Sequence, residues 1–150
     1  MTATTATAVT TSTATATWEG GLRKGKGQFS AKSGAFKGSY SFPTRFEGAN
    51  GTNPEELIAA AHASCLSMAL SAELERAGTP ATRITTTASA SIGKVGEGFR
   101  ITRMRLEVRG EVPGVDQAAF AKAAEAAKEG CPVSQALKGN VSFELDARLA

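Results

Sequence analysis

Between Asn53 and Gly78 the sequence carries a nearly unbroken helix signal, and that signal constrains the rest of the chain more than any other feature. Asn53 is a good N-cap, Pro54 fits the first helical position, and Glu55 and Glu56 suit the positive end of the macrodipole. The helix should run to about Ala77, because Gly78 is a natural left-handed C′ residue and Pro80 cannot continue the turn. Leu57, Ala61, Cys65, Met68 and Ala72 recur at helical spacing, while Ile58, Leu66, Ala69 and Leu70 spread apolar surface around the axis. A helix apolar around most of its circumference predicts a central, buried element. Its most apolar part, Leu57 to Leu70, is broken by His62 and small polar residues and falls short of the roughly 20 residues that span a bilayer.

The flanking sequence supplies strands to cover such a helix. Ala14 to Glu19, Gly27 to Ala31 and Tyr40 to Phe46 read as short strands joined by glycine-rich turns. Thr82 to Ile92 and Arg100 to Val112 alternate as longer strands, the second with Thr102, Met104, Leu106 and Val108 facing in. Its other side, Arg103, Arg105, Glu107 and Arg109, is a solvated sheet face. Asp116 to Glu129 is an amphipathic helix closed by Gly130, Pro132 opens a short helix with Cys131 at its N-cap, and Val141 to Leu149 is a last strand. The expected fold is α+β, antiparallel sheets around a long central helix in the order β-β-β-α-β-β-α-α-β. Residues 1–12, rich in Thr and Ala, read as a flexible extension, and residues 13–150 as a single domain.

Composition narrows the function. The chain has 150 residues, 41% hydrophobic and 21% charged, which suits one soluble domain with a sizeable core. Seventeen Lys+Arg against fourteen Asp+Glu leave a net charge of +3, too little basic concentration for a nucleic-acid specialist. The start lacks the charged and apolar regions of a secretory signal, so a cytoplasmic protein with no membrane partner is expected. Two cysteines and one histidine are too few for a disulfide scaffold and argue against a metal site. In a reducing compartment, thiols that cycle explain the pair better than a permanent disulfide.

Cys131, at a helix N-terminus, is the thiol that local physics makes acidic. Cys65 lies three turns inside the long helix, where desolvation raises a thiol pKa, and its plain reading is a small core residue. A buried cysteine becomes a nucleophile when a fixed cation sits beside it, and arginine suits because it stays charged when desolvated. Arg45 is the candidate, since it lies in the otherwise apolar segment Phe42-Pro43-Thr44-Arg45-Phe46-Glu47-Gly48. Glu55 could hold its guanidinium in a two-pronged pair. His62, one turn before Cys65, also admits a Cys–His nucleophile pair, although no third orienting group is identifiable.

Two stretches resemble the signature regions of the OsmC/Ohr family, the osmotically inducible and organic hydroperoxide resistance proteins. They are Arg45-Phe46-Glu47-Gly48 through Gly51-Thr52-Asn53-Pro54-Glu55-Glu56-Leu57-Ile58-Ala59-Ala60-Ala61-His62-Ala63-Ser64-Cys65, and Cys131-Pro132-Val133-Ser134-Gln135-Ala136-Leu137. The resemblance runs from about Trp18 to the last strand and is closer to the OsmC branch; the Thr/Ala-rich beginning departs from it. It implies a thiol peroxidase that reduces organic hydroperoxides, and less securely hydrogen peroxide, to alcohols in oxidative or osmotic stress. In that pattern Cys65 is the peroxidatic thiolate, Cys131 the resolving thiol, Arg45 the activating cation and Glu55 its orienting carboxylate. No bound cofactor is implied; an external dithiol of lipoyl type restores the enzyme. The resemblance also implies an intertwined homodimer. The residues by themselves leave open a redox sensor or small-molecule binding module that uses the same cysteines, and a structural dimer with inert thiols.

Overall fold

In a computed structural model, residues 6–150 are described. The expected flexible extension falls in part on residues 1–5, outside the described residues; residues 6–13 are exposed and hold neither helix nor strand. Contacts divide the chain into two compact units, one ending at Asn53 and the other spanning Pro54–Ala150.

The first unit is an antiparallel meander of β1 (Ala14–Glu19), β2 (Lys26–Ala31) and β3 (Lys37–Tyr40), followed by a short helix α1 (Phe42–Phe46). Aromatic rings lie over glycines across the sheet: a Cβ on Gly27 would collide with the ring of Tyr40, with which Gly27 is paired in register. Trp18 and Phe29 flank that ring at centroid distances of 5.5 and 6.1 Å. The strand expected over Tyr40 to Phe46 ends at Tyr40. Ser41 and Thr44 form a capping box, each side chain meeting the other's backbone N–H at 3.3 and 2.9 Å, and Pro43 sits in the first turn. Proline cannot donate to a strand ladder, so the capped helix wins over the apolar strand pattern.

The second unit contains α2 (Pro54–Arg76), β4 (Arg83–Val95), β5 (Gly98–Glu111), α3 (Gln117–Gly130), α4 (Pro132–Leu137) and β6 (Ser142–Leu149). β4 and β5 pair antiparallel, but β6 pairs parallel to β5, so this sheet is mixed rather than antiparallel. The physical reason is the connection: α3 and α4 form a crossover that returns the chain to the same end of the sheet. Gly78, at φ +80°, ends α2 in a Schellman motif, with Thr79 N–H donating to Leu74 C=O at 2.9 Å and Gly78 N–H to Glu75 C=O at 3.0 Å.

The central helix buries one face, not its whole circumference. His62, Leu66, Leu70 and Leu74 form the buried stripe, whereas Met68, placed by the sequence pattern on the inner row, is 78% exposed. Nearly uniform apolarity gives periodicity no face to choose; packing against β4 and α3 chooses it. Leu66, Leu70 and Leu74 join Leu106, Val108, Phe120, Ala124 and Ala127 in the core. By length and mean hydropathy α2 could also cross a membrane; in this fold its buried stripe packs against β4 and α3. Along β5, Met104, Leu106 and Val108 face in as expected, but Thr102 is exposed. The arginine row is laced with carboxylates: Arg109 to Asp146 at 3.0 Å, Arg105 to Glu107 at 3.0 Å and Arg103 to Glu144 at 3.5 Å.

Gly110 carries a direct stability test. An added Cβ would come within 2.5 Å of the Phe120 ring, which is fully buried and has nowhere to move. Gly110→Ala should cost about 1–3 kcal/mol, read as a lower denaturant midpoint; an unchanged midpoint would show that the α3 contact yields.

Candidate functional site

The two cysteines, 66 residues apart in sequence, meet in the second unit. Cys65 is partly exposed on α2; Cys131 is wholly buried where α3 gives way to α4. Cys131 closes one helix and opens the next, its N–H donating to Ala127 C=O at 2.8 Å and its own C=O accepting from Gln135 N–H at 3.0 Å. Pro132 follows at the first position of α4, as the sequence pattern predicts.

The Cys65 thiol donates toward the Cys131 sulfur, and the two environments push the thiols apart. Burial raises the Cys65 pKa, the hydrogen bond to Cys131 raises it further, and the Val133 backbone N–H only partly opposes this. Burial also pushes Cys131 up, but it is outweighed by hydrogen bonding from Cys65, from the backbone N–H and hydroxyl of Ser134, and from the Val133 N–H. The net shift of Cys131 is downward, although its sulfur makes no formal capping hydrogen bond to α4. Cys131 is therefore the more acidic thiol of the pair, as its helix-start position suggests. Two thiols in contact, one holding the proton and one favouring the thiolate, are equipped for disulfide exchange.

His62 does not make the Cys–His pair that its spacing admits. Its Nε2 lies 2.7 Å from Ser134 Oγ, its ring edge meets Phe143, and it is fully buried. The sequence reading gave Ser134 no role; its place three residues after Cys131, at the start of a helix, was the available signal. Burial lowers the His62 pKa below its usual 6.5. The unfolded chain therefore binds more protons than the fold once pH drops below about 6.5, and stability falls with pH there. His62→Gln should weaken this acid loss relative to wild type, measured by denaturant midpoints at about pH 7.5 and pH 5; identical acid losses in both proteins would remove His62 as their source.

Glu55 is 5% exposed in the first turn of α2. Arg45 belongs to the first unit, in the last turn of α1, with its guanidinium 5.3 Å from the Phe46 ring centroid. There, Arg45 with Trp18, Leu22, Tyr40, Phe42 and Phe46 lines a cavity of about 290 Å³. Larger clefts of about 560 and 600 Å³ on the same unit are lined largely by Thr, Ser and Lys and hold none of the candidate residues. No group of three metal-ligating side chains occurs among the described residues.

The mixed α+β fold thus places its two thiols side by side in unequal surroundings. The chain belongs to the OsmC-like protein family, whose model matches residues 47–146. It is 51% identical over 128 residues to the peroxiredoxin OsmC of Escherichia coli (strain K12), covering 85% of this chain and 90% of that protein. It is 36% identical over 137 residues to the organic hydroperoxide resistance protein of Xanthomonas axonopodis pv. citri, covering 89% and 92%. Among solved structures, an organic hydroperoxide resistance protein from Elizabethkingia anophelis superposes with a TM-score of 0.76 at 29% identity, covering 95% of this chain and all of the other.

Proposed function

We propose that this chain is a thiol-dependent peroxidase that reduces organic hydroperoxides to alcohols, with Cys65 as the peroxidatic residue and Cys131 as the resolving one. The contact between the two thiols is the observation that carries this reading, and the names of the E. coli and Xanthomonas relatives support it. The Cys65 thiolate attacks the distal peroxide oxygen; the S–O bond forms as the O–O bond breaks, and the departing alkoxide takes a proton to become the alcohol. The Cys131 sulfur takes the proton that leaves Cys65 and passes it to the departing alkoxide, which restores the Cys131 thiolate. Cys131 thiolate then attacks the Cys65 sulfenic acid, expelling hydroxide and closing a disulfide.

Because burial pushes the Cys65 thiol up, its thiolate needs a cation, and in this proposal Arg45 supplies it. Glu55, a buried carboxylate, holds the planar guanidinium in place. Residues 13–150 act as one functional domain in an intertwined homodimer in the cytoplasm. An external dithiol of lipoyl type closes the cycle, and no resident cofactor takes part.

Turnover separates this enzyme from a redox sensor. With excess dithiol, substoichiometric protein should consume many equivalents of cumene hydroperoxide; consumption that stops after one equivalent per protein would make the cysteine pair a switch instead.

A further inference from the structure

His62 and Ser134 are both buried, they touch, and the chemistry above uses neither. Their arrangement is nonetheless asymmetric. His62 Nε2 is 2.7 Å from Ser134 Oγ, while Nδ1 has no hydrogen-bond partner among the described residues. Ser134 also hydrogen-bonds Cys131 through its side chain. A serine hydroxyl has one proton, which serves one acceptor at a time. When that proton points at the Cys131 sulfur, Oγ can only accept from His62, so Nε2 carries the hydrogen and Nδ1 is the bare lone pair of a neutral ring. The opposite tautomer would bury an N–H on Nδ1 with no acceptor and turn the serine proton away from sulfur.

We propose that His62 is a positioning residue for Cys131: through Ser134 it fixes a hydroxyl proton on the Cys131 sulfur and so makes Cys131 the leaving sulfur when an external dithiol reopens the Cys65–Cys131 disulfide. The inference rests on the two-cysteine cycle proposed above. Exposure points the same way, because Cys65 is partly exposed and Cys131 is not. One reductant thiolate attacks Cys65 Sγ; a mixed S–S bond forms as the Cys65–Cys131 bond breaks, and the electron pair goes to the Cys131 sulfur, where the Ser134 proton stabilises it. The second reductant thiol then attacks the mixed disulfide, releasing Cys65 and leaving the reductant as its own disulfide. Two electrons pass from dithiol to protein.

The groups facing Cys131 are Cys65 and, through Ser134, His62 from α2, and the Val133 and Ser134 N–H groups from α4. Glu129, near the end of α3, is ion-paired with Lys138 at 3.6 Å and Lys128 at 3.9 Å.

The test equilibrates wild type, Ser134→Ala, His62→Phe and His62→Gln with mixtures of reduced and oxidised dithiothreitol, without peroxide, and quantifies the protein disulfide by mass. Ser134→Ala and His62→Phe should retain the disulfide more strongly, by about tenfold in equilibrium constant, equivalent to about 30 mV for a two-electron couple. Glutamine can still donate to Ser134, so His62→Gln should stay near wild type. In a Cys65→Ser background, the thiolate absorbance of Cys131 should rise at higher pH in Ser134→Ala and His62→Phe. An unmoved equilibrium in Ser134→Ala, or a shift in His62→Gln as large as in His62→Phe, overturns the proposal; if His62→Phe does not fold, Ser134→Ala and His62→Gln decide alone. Failure of the peroxidase reading shows separately, as wild type that forms the disulfide with oxidised dithiothreitol but not with hydroperoxide.

Discussion

Cys65→Ser should reduce hydroperoxide turnover to background, a loss on the order of a thousandfold or more, the scale seen when an enzyme loses its nucleophile. A serine hydroxyl is a far weaker nucleophile than a thiolate and cannot cycle through a sulfenic acid. Cys131→Ser should fail differently. Cys65 would still be oxidised once, but with no adjacent thiol to close the disulfide it would stall and, under excess peroxide, proceed to sulfinic acid. Stopped-flow single turnover followed by peptide mass mapping checks both variants. Equal loss of the first oxidation step in the two variants would defeat the division of roles, which matters because the acidity of the pair alone favours Cys131. Acidity and role need not coincide, since thiolate nucleophilicity falls as pKa falls and a low-pKa thiol makes the better leaving group.

Arg45→Lys should lower peroxide reduction by about 10- to 100-fold, the loss of one or two charge-assisted hydrogen bonds from the transition state. Lysine keeps the charge but not the planar fork that a carboxylate such as Glu55 can grip in two places. It would also weaken the stacking on Phe46, 5.3 Å from the guanidinium. The decisive readout is the second-order rate of Cys65 oxidation, measured against a circular-dichroism check that α1 and the meander persist. Full activity in Arg45→Lys would leave a bare positive charge as sufficient and remove the clamp from the mechanism.

Much of this is legible in the sequence, and what is not has identifiable physics. Capping and breaking residues placed α2 correctly at both ends, because Pro54 and Gly78 act locally. Cys131 at the start of α4 was equally local. The apolar pattern predicts strand from Tyr40 to Phe46, whereas the Ser41–Thr44 capping box makes Phe42–Phe46 a helix. The buried face of α2 could not be read, since apolar residues surround the axis and only contacts with β4 and α3 pick Leu66, Leu70 and Leu74. The parallel pairing of β6 depends on where a crossover lands, which no window of sequence contains. The His62–Ser134 contact is of the same kind: it joins residues 72 positions apart.

The most direct measurement of the central claim is the intact mass of wild-type protein after equimolar cumene hydroperoxide, with and without later dithiol, alongside Cys65→Ser and Cys131→Ser. The account predicts a loss of about two mass units in wild type as the two thiol hydrogens leave, reversal by dithiol, and an oxygen adduct in Cys131→Ser but not in Cys65→Ser. Wild type left unmodified, or an adduct that forms in Cys65→Ser, would contradict it.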